Sequence, residues 1–146
     1  MGLDMYLKGS RYISSWKEGE KELGEKIAQI VGQEGMAVNI VEMEVGYWRK
    51  ANAVHQWFVK NVQDDVDDCK SYWVPRKKLL ELQDVCNQVL ADVTLASSLL
   101  PTQGGFFFGN LEYDEWYMEN LEITLQNIQK ALSLPEEWDI EYQSSW

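Results

Sequence analysis

Val38-Asn39-Ile40-Val41-Glu42-Met43-Glu44-Val45-Gly46-Tyr47-Trp48-Arg49-Lys50-Ala51-Asn52-Ala53-Val54-His55-Gln56-Trp57-Phe58 changes its hydrophobic period half-way along. In the first half Val41, Met43, Val45 and Tyr47 alternate with Glu42, Glu44 and Gly46, the period of a strand with one wet face, as in an antiparallel sheet. Beyond it Ala51, His55, Phe58 and Val62 recur at helical spacing, so Arg49 to Gln63 reads as a helix fed directly by the strand.

Upstream, Leu3, Met5 and Leu7 alternate with Asp4, Tyr6 and Lys8, a second strand pattern. Between the strands, Lys17 to Gly32 carries one apolar stripe (Leu23, Ile27, Ile30, Val31), a helix weakened by Gly19 and Gly24. Downstream, the aspartates of 64–68 end the helix, and Ser71 to Val74 reads as a short strand. Pro75 suits the first turn of the next helix. There Leu79, Leu82, Cys86, Val89, Val93, Ala96 and Leu100 form one long helical stripe. The loop Thr102 to Gly109 holds three glycines around Phe106-Phe107-Phe108, read as the backbone freedom that turns the phenylalanines inward. Asp114 is placed to cap a last helix with Tyr117, Leu121, Leu125, Ile128 and Leu132 inward, which Pro135 stops. Ile140 and Tyr142 suggest a terminal strand pairing with the first. With no repeat or linker, residues 1–146 read as a single α+β domain: a small, mostly antiparallel sheet against three to four helices.

Thirteen basic and 24 acidic side chains give a formal net charge of −11. That excludes a general nucleic-acid binder, which needs a basic face, and electrostatic docking on an anionic membrane. No apolar run reaches the roughly 20 residues that span a bilayer. The opening Met1 to Leu7 lacks the basic and apolar regions of a secretory signal, so a cytoplasmic location is expected. The charge is uneven. Residues 112–146 hold nine acidic side chains against Lys130 alone, whereas 49–78 hold seven basic ones against four aspartates.

Cys69 and Cys86 are the only cysteines and His55 the only histidine, too few for a closed Cys/His zinc site. Without an export signal, two reduced thiols are expected rather than a disulfide. The run Asp64, Asp65, Asp67, Asp68 lacks the glycine and distal glutamate of an EF-hand loop and reads as a solvated turn. Gly104-Gly105 belongs to no phosphate-binding glycine motif. No metal, cofactor or catalytic residue is therefore expected.

Two segments, 44–58 and 104–117, hold ten of the eighteen aromatics, which suit either the core, a stacked base or a partner protein. Arg49 and Lys50 fall at one expected helix start, and Arg76, Lys77 and Lys78 at another. Cations there oppose the helix dipole, and a bound anion would reverse the sign; otherwise they sit in solvent or pair with the aspartates of 64–68. His55 lies on the apolar stripe beside Asn52. It is either a hydrogen-bonded core histidine or a group at a pocket rim, and the rim is the expectation.

The opening Gly-Leu-Asp-Met-Tyr-Leu, the block Val-Gly-Tyr-Trp-Arg-Lys-Ala-Asn-Ala-Val-His-Gln-Trp-Phe-Val and Gly-Gly-Phe-Phe-Phe-Gly resemble small uncharacterised proteins of bacteriophages and prophages, over most of the chain. The resemblance transfers no catalytic residue. It implies a phage setting, in which small acidic proteins block host defences by sequestering cyclic-nucleotide or ADP-ribose-type signals, or by binding a host protein through an acidic surface.

The expected function is thus non-catalytic binding of a small anionic, nucleotide-derived ligand. Arg49 and Lys50, with Arg76 second, would hold phosphate; Trp48, Trp57 or Phe107 would stack; Asn52 and His55 would hydrogen-bond. The alternatives are an acidic inhibitor engaging a basic host protein through 112–146, and a nucleotide-signal hydrolase using His55 as base. The stripe Leu79 to Leu100 is intramolecular core or a homo-oligomer seam, with core expected where other helices can cover it.

Overall fold

The computed structural model describes residues 2–146; Met1, the first residue of the expected domain, lies outside the described residues. Four strands, β1 (Asp4–Tyr12), β2 (Ile40–Arg49), β3 (Tyr72–Trp73) and β4 (Asp139–Ser145), form one antiparallel sheet in the order β2-β1-β4-β3. The expected pairing of the terminal strand with the first is present, from Asp4 opposite Ser145 to Ser10 opposite Asp139. The helices are α1 (Glu18–Ile30), α2 (Asn52–Asn61), α3 (Arg76–Ala91), the short α4 (Ala96–Leu99) and α5 (Glu115–Leu132). The α+β architecture is as read from the sequence. No helix among the described residues is long and apolar enough to cross a membrane.

Helices α2, α3 and α5 cover one face. Against them lie Met5, Leu7, Trp48, Ile140 and Tyr142, all buried with Leu79, Leu82, Leu121 and Ile128 in a single core. Phe58 of α2 stacks flat on Tyr142, ring centroids 3.9 Å apart. Gly46 lets α5 approach, because a Cβ there would stand 2.7 Å from the Asn127 side chain. The other face, with Tyr6, Lys8, Tyr47 and Glu141, stays partly or fully exposed. Helix α1 stands apart, held by Ile13 and Val38 against Gly24 and by Glu20, which accepts from Ser14 N at 2.7 Å and pairs with Arg11 at 3.2 Å.

Four sequence expectations are corrected. The alternation along β2 does not run unbroken: the register shifts at Leu7/Lys8, and past Val45 the phase reverses. An extra residue on one strand moves every later side chain to the opposite face, so Trp48 and Gly46 turn inward and Tyr47 outward. Helix α2 begins at Asn52, because Arg49 still pairs with Asp4 in the sheet and Lys50 reverses the chain with φ +54°. The long stripe is two helices. Asp92 leaves helical geometry at φ −147°, and its carboxylate accepts from Thr94 N (3.1 Å) and Oγ1 (2.6 Å), an alternative that outcompetes one more helical bond. Both parts of the stripe nonetheless face the shared core, through Leu79, Leu82, Cys86 and Val89, then Ala96 and Leu100. Of the three phenylalanines only Phe108 is buried, while Phe106 is 95% exposed.

Candidate functional site

The first turn of α2 is left open. Ala51, the residue before the helix, has no side-chain oxygen to cap it, and no acidic residue lies in the first turn. Asn52 N donates to Lys50 O (3.0 Å) and His55 N to Ala51 O (2.9 Å). Between them the Ala53 and Val54 amides have no partner among the described residues, and these are the orphan donors that make a helix start electropositive. The opening is a shallow pocket lined by Lys50, the first turn of α2, Thr102, Asn110, Glu112, Trp116, Tyr117, Asn120 and Leu121. Its enclosed volume is about 20 Å³, room for one or two waters or the head of a small ligand. Lys50 makes no ion pair among the described residues, and Trp116 stands half exposed at the rim.

Of the residues singled out in the sequence, the structure brings Lys50 and Asn52 to this pocket and takes the rest elsewhere. The Asn52 side chain, 5% exposed, is fully occupied. Its amide donates to Phe108 O (3.0 Å) and Asn110 O (2.9 Å), and its oxygen accepts from Gln103 N (2.9 Å). It is a clamp on the 102–110 loop.

Arg49 is drawn to Asp4, at 3.2 Å, in a cluster where the Tyr47 hydroxyl donates to the same carboxylate. That bond, and then partial burial, lift the Tyr47 phenol above its usual range. Arg76 donates to three carbonyls at and beyond the end of α5, those of Leu132, Pro135 and Trp138, the Pro135 contact at 2.8 Å. Trp116 and Leu132 are sixteen residues apart on α5, or roughly 24 Å at 1.5 Å per residue, so Arg76 and the pocket that Lys50 lines lie toward opposite ends of that helix.

His55 is not at a rim: its side chain is 0% exposed. Nε2 faces Asp67 Oδ2 at 2.9 Å and Nδ1 faces the Tyr142 hydroxyl at 2.7 Å, with Phe108 edge-on. A carboxylate only accepts, so in the neutral ring Nε2 carries the hydrogen and Nδ1 accepts from Tyr142. Burial drives the Tyr142 phenol well above its usual range, which keeps it a neutral donor. A Tyr-His-Asp chain of this kind resembles a relay, but Tyr142 and His55 are both 0% exposed and only Asp67 is partly exposed. Trp48 is a core residue whose Nε1 donates to Thr124 Oγ1 at 2.8 Å, and Trp57 packs edge-on against Phe58. Phe107 is half-buried, with its carbonyl accepting from Leu3 N at 3.1 Å.

Sequence reasoning anticipated an open helix start but passed over Asn120, and it counted Trp116 only among the clustered aromatics. The available signal was Trp116 itself, a tryptophan out of phase with the buried Tyr117 and Leu121 stripe of α5.

Among the described residues no group of three or more His, Cys, Asp or Glu side chains could hold a metal ion. The aspartate run is a folded turn in which Asp64 and Asp65 take positive φ, Asp67 also accepts from Trp146 Nε1 (3.1 Å) and Asp68 from Tyr72 (2.9 Å). Cys69 and Cys86 are free thiols. A larger groove of about 600 Å³ runs between α1 and residues 34–38, lined by Lys21 and Lys26 but also by Glu22, Glu25 and Glu34. Its charges are mixed, and it offers no free helix amide. No family model, curated protein or solved structure matches this chain.

Proposed function

We propose that this protein binds a small anionic ligand, without turning it over, at the open first turn of α2. The observation that carries the reading is the pair of unpartnered amides, Ala53 and Val54, at a pocket whose lining includes Lys50, which makes no ion pair among the described residues. Helix-start amides and an adjacent cation together form a favourable setting for a phosphate or carboxylate oxygen. The enclosed volume of about 20 Å³ admits only the anionic head. The remainder of the ligand lies over the rim, where Trp116 offers a flat face and Thr102, Asn110 and Asn120 offer hydrogen bonds. A nucleotide-derived molecule has both parts. Glu112 on the rim disfavours a second negative charge there, so one inserted anionic group is preferred over two.

Sequestration rather than catalysis is supported by the burial of His55 away from this pocket. In the phage setting that the resemblance implies, the protein acts in the host cell as a sponge for a nucleotide-derived immune signal.

Thermal melting with phosphate, adenosine monophosphate, cyclic nucleotides and ADP-ribose tests this. A ligand at a hundred times its Kd adds about 2.7 kcal/mol, or roughly 6–10 °C for a chain of this size. At least one of these anions is expected to raise Tm in the native protein, and by much less in Lys50→Ala and Trp116→Ala. No shift with any of them overturns the reading, and cleavage of the bound molecule on overnight incubation overturns the absence of turnover.

A further inference from the structure

Phe106 is the most exposed large apolar side chain among the described residues, at 95%, on a loop whose two ends are hydrogen-bonded to the body of the protein. Phe108 N donates to Gly105 O at 3.1 Å, closing a turn with Phe106 and Phe107 at its corners. The Phe107 ring braces Phe106 edge-on, centroids 4.7 Å apart. Three Asn52 hydrogen bonds fix the loop at Gln103, Phe108 and Asn110, and Thr102 Oγ1 ties across to Leu111 O at 3.0 Å. A freely moving loop would fold such a side chain back onto the protein or lose entropy on capture. Hydrogen bonds on both sides of the turn hold its ends, so less ordering is left for a partner to impose, the condition under which an aromatic anchor contributes most to binding.

The surroundings set the sign of the partner. Residues 79–129 contain no lysine or arginine. Directly after the loop, Glu112, Asp114, Glu115 and Glu119 are all exposed, together with Leu111 and Trp116. Lys50, whose side chain lies against Gly109, is near the loop's base, as is the Arg49 guanidinium beside Gly2, which is paired with Asp4. A second copy of the chain would bring two such acidic surfaces together and be repelled.

We infer that the 104–119 surface docks a partner protein that offers an apolar pocket to Phe106 and basic side chains to the glutamates around it. Charge steers the encounter and the phenylalanine anchors it, so association is salt-sensitive while the lifetime of the complex depends on the ring.

Isothermal titration with three synthetic helical peptides tests this: one with leucines on one face and arginines on the other, one with the arginines replaced by glutamates, and one basic but without leucines. Binding is expected only for the first, weakened tenfold or more by Phe106→Ala, whose melting curve stays native because the ring covers nothing in the core. Glu115→Lys with Glu119→Lys should weaken it as strongly and flatten its salt dependence. Failure of the first peptide to bind, equal binding of any peptide to Phe106→Ala, or equal binding of the glutamate peptide would each overturn the inference. So would self-association in sedimentation that Phe106→Ala abolishes, since the occupant would then be a second copy.

Discussion

Replacing His55 by alanine removes an imidazole ring enclosed on every side, and its cost can be worked from its neighbours. The Tyr142 hydroxyl, on a side chain 0% exposed, has His55 Nδ1 as its hydrogen-bond partner, so the substitution strands a buried donor at about 1–3 kcal/mol. The lost ring leaves a cavity beside Phe108 and Tyr142, adding about 2 kcal/mol at the low end of the range for large-to-alanine changes. The total of about 3–5 kcal/mol is a large part of a typical stability of 5–15 kcal/mol, and corresponds to a fall in Tm of roughly 10 °C. Urea unfolding followed by circular dichroism measures it. The same experiment on Tyr142→Phe separates the hydrogen bond from the cavity. In the native background this change costs about 1 kcal/mol, whereas beside His55→Ala it removes the stranded hydroxyl and is neutral or stabilising. A cost below about 1 kcal/mol for His55→Ala, or additive effects in the double variant, would refute the buried chain from Tyr142 through His55 to Asp67.

Further predictions concern the loop, the thiols and α1. Asn52→Ala should cost about 2–4 kcal/mol and raise amide exchange and proteolysis across 102–111, since three hydrogen bonds that anchor that segment are lost. Burial pushes the Cys86 thiol up to about 12, while Cys69 is only half-buried, so mass spectrometry after alkylation at neutral pH should count one label in the native protein and two after unfolding. Glu20 is held below its ordinary 4.5, first by the hydrogen bond from Ser14 N, with Lys17 and Arg11 assisting against desolvation. The unfolded carboxyl therefore takes up its proton at higher pH than the folded one. The tie between α1 and β1 is fully present above 4.5 and lost as pH falls through the lower folded value, so the protection of the Ser14 amide relative to its intrinsic exchange rate should fall there, a pH-dependent fall that is absent in Glu20→Gln.

Much of the fold was legible because local chemistry and tertiary demand agree. Asp114 caps α5 by accepting from Tyr117 N at 3.0 Å, and the alternation of Ile140 and Tyr142 places both in the core opposite β1. The errors lie where a distant partner decides. Nothing near Lys8 in sequence announces the bulge that swaps Tyr47 for Trp48 on the buried face. Arg49 pairs with an aspartate 45 positions away, and Arg76 with carbonyls 56 to 62 positions away, so two of the cations that read as anion ligands have protein partners that the local pattern does not show. The aromatics deceived in the same manner. Composition marks segments 44–58 and 104–117 as rich in rings, but burial sorts them: Trp48, Trp57 and Phe108 into the core, Trp116 and Phe106 to the surface. The weak start of α2 was legible, and what sequence could not supply was which cation remains free beside it.

The most direct test of anion capture at α2 is amide-resolved NMR of the ¹⁵N-labelled protein during titration with inorganic phosphate and then adenosine monophosphate. Capture there predicts that the Ala53 and Val54 amides move furthest and saturate with a single Kd, that the Trp116 indole responds to the nucleotide more than to phosphate, and that Lys50→Ala shifts the curve to much higher ligand concentration. Unmoved Ala53 and Val54 amides at saturating ligand, or saturable shifts confined to the groove beside α1, would contradict it.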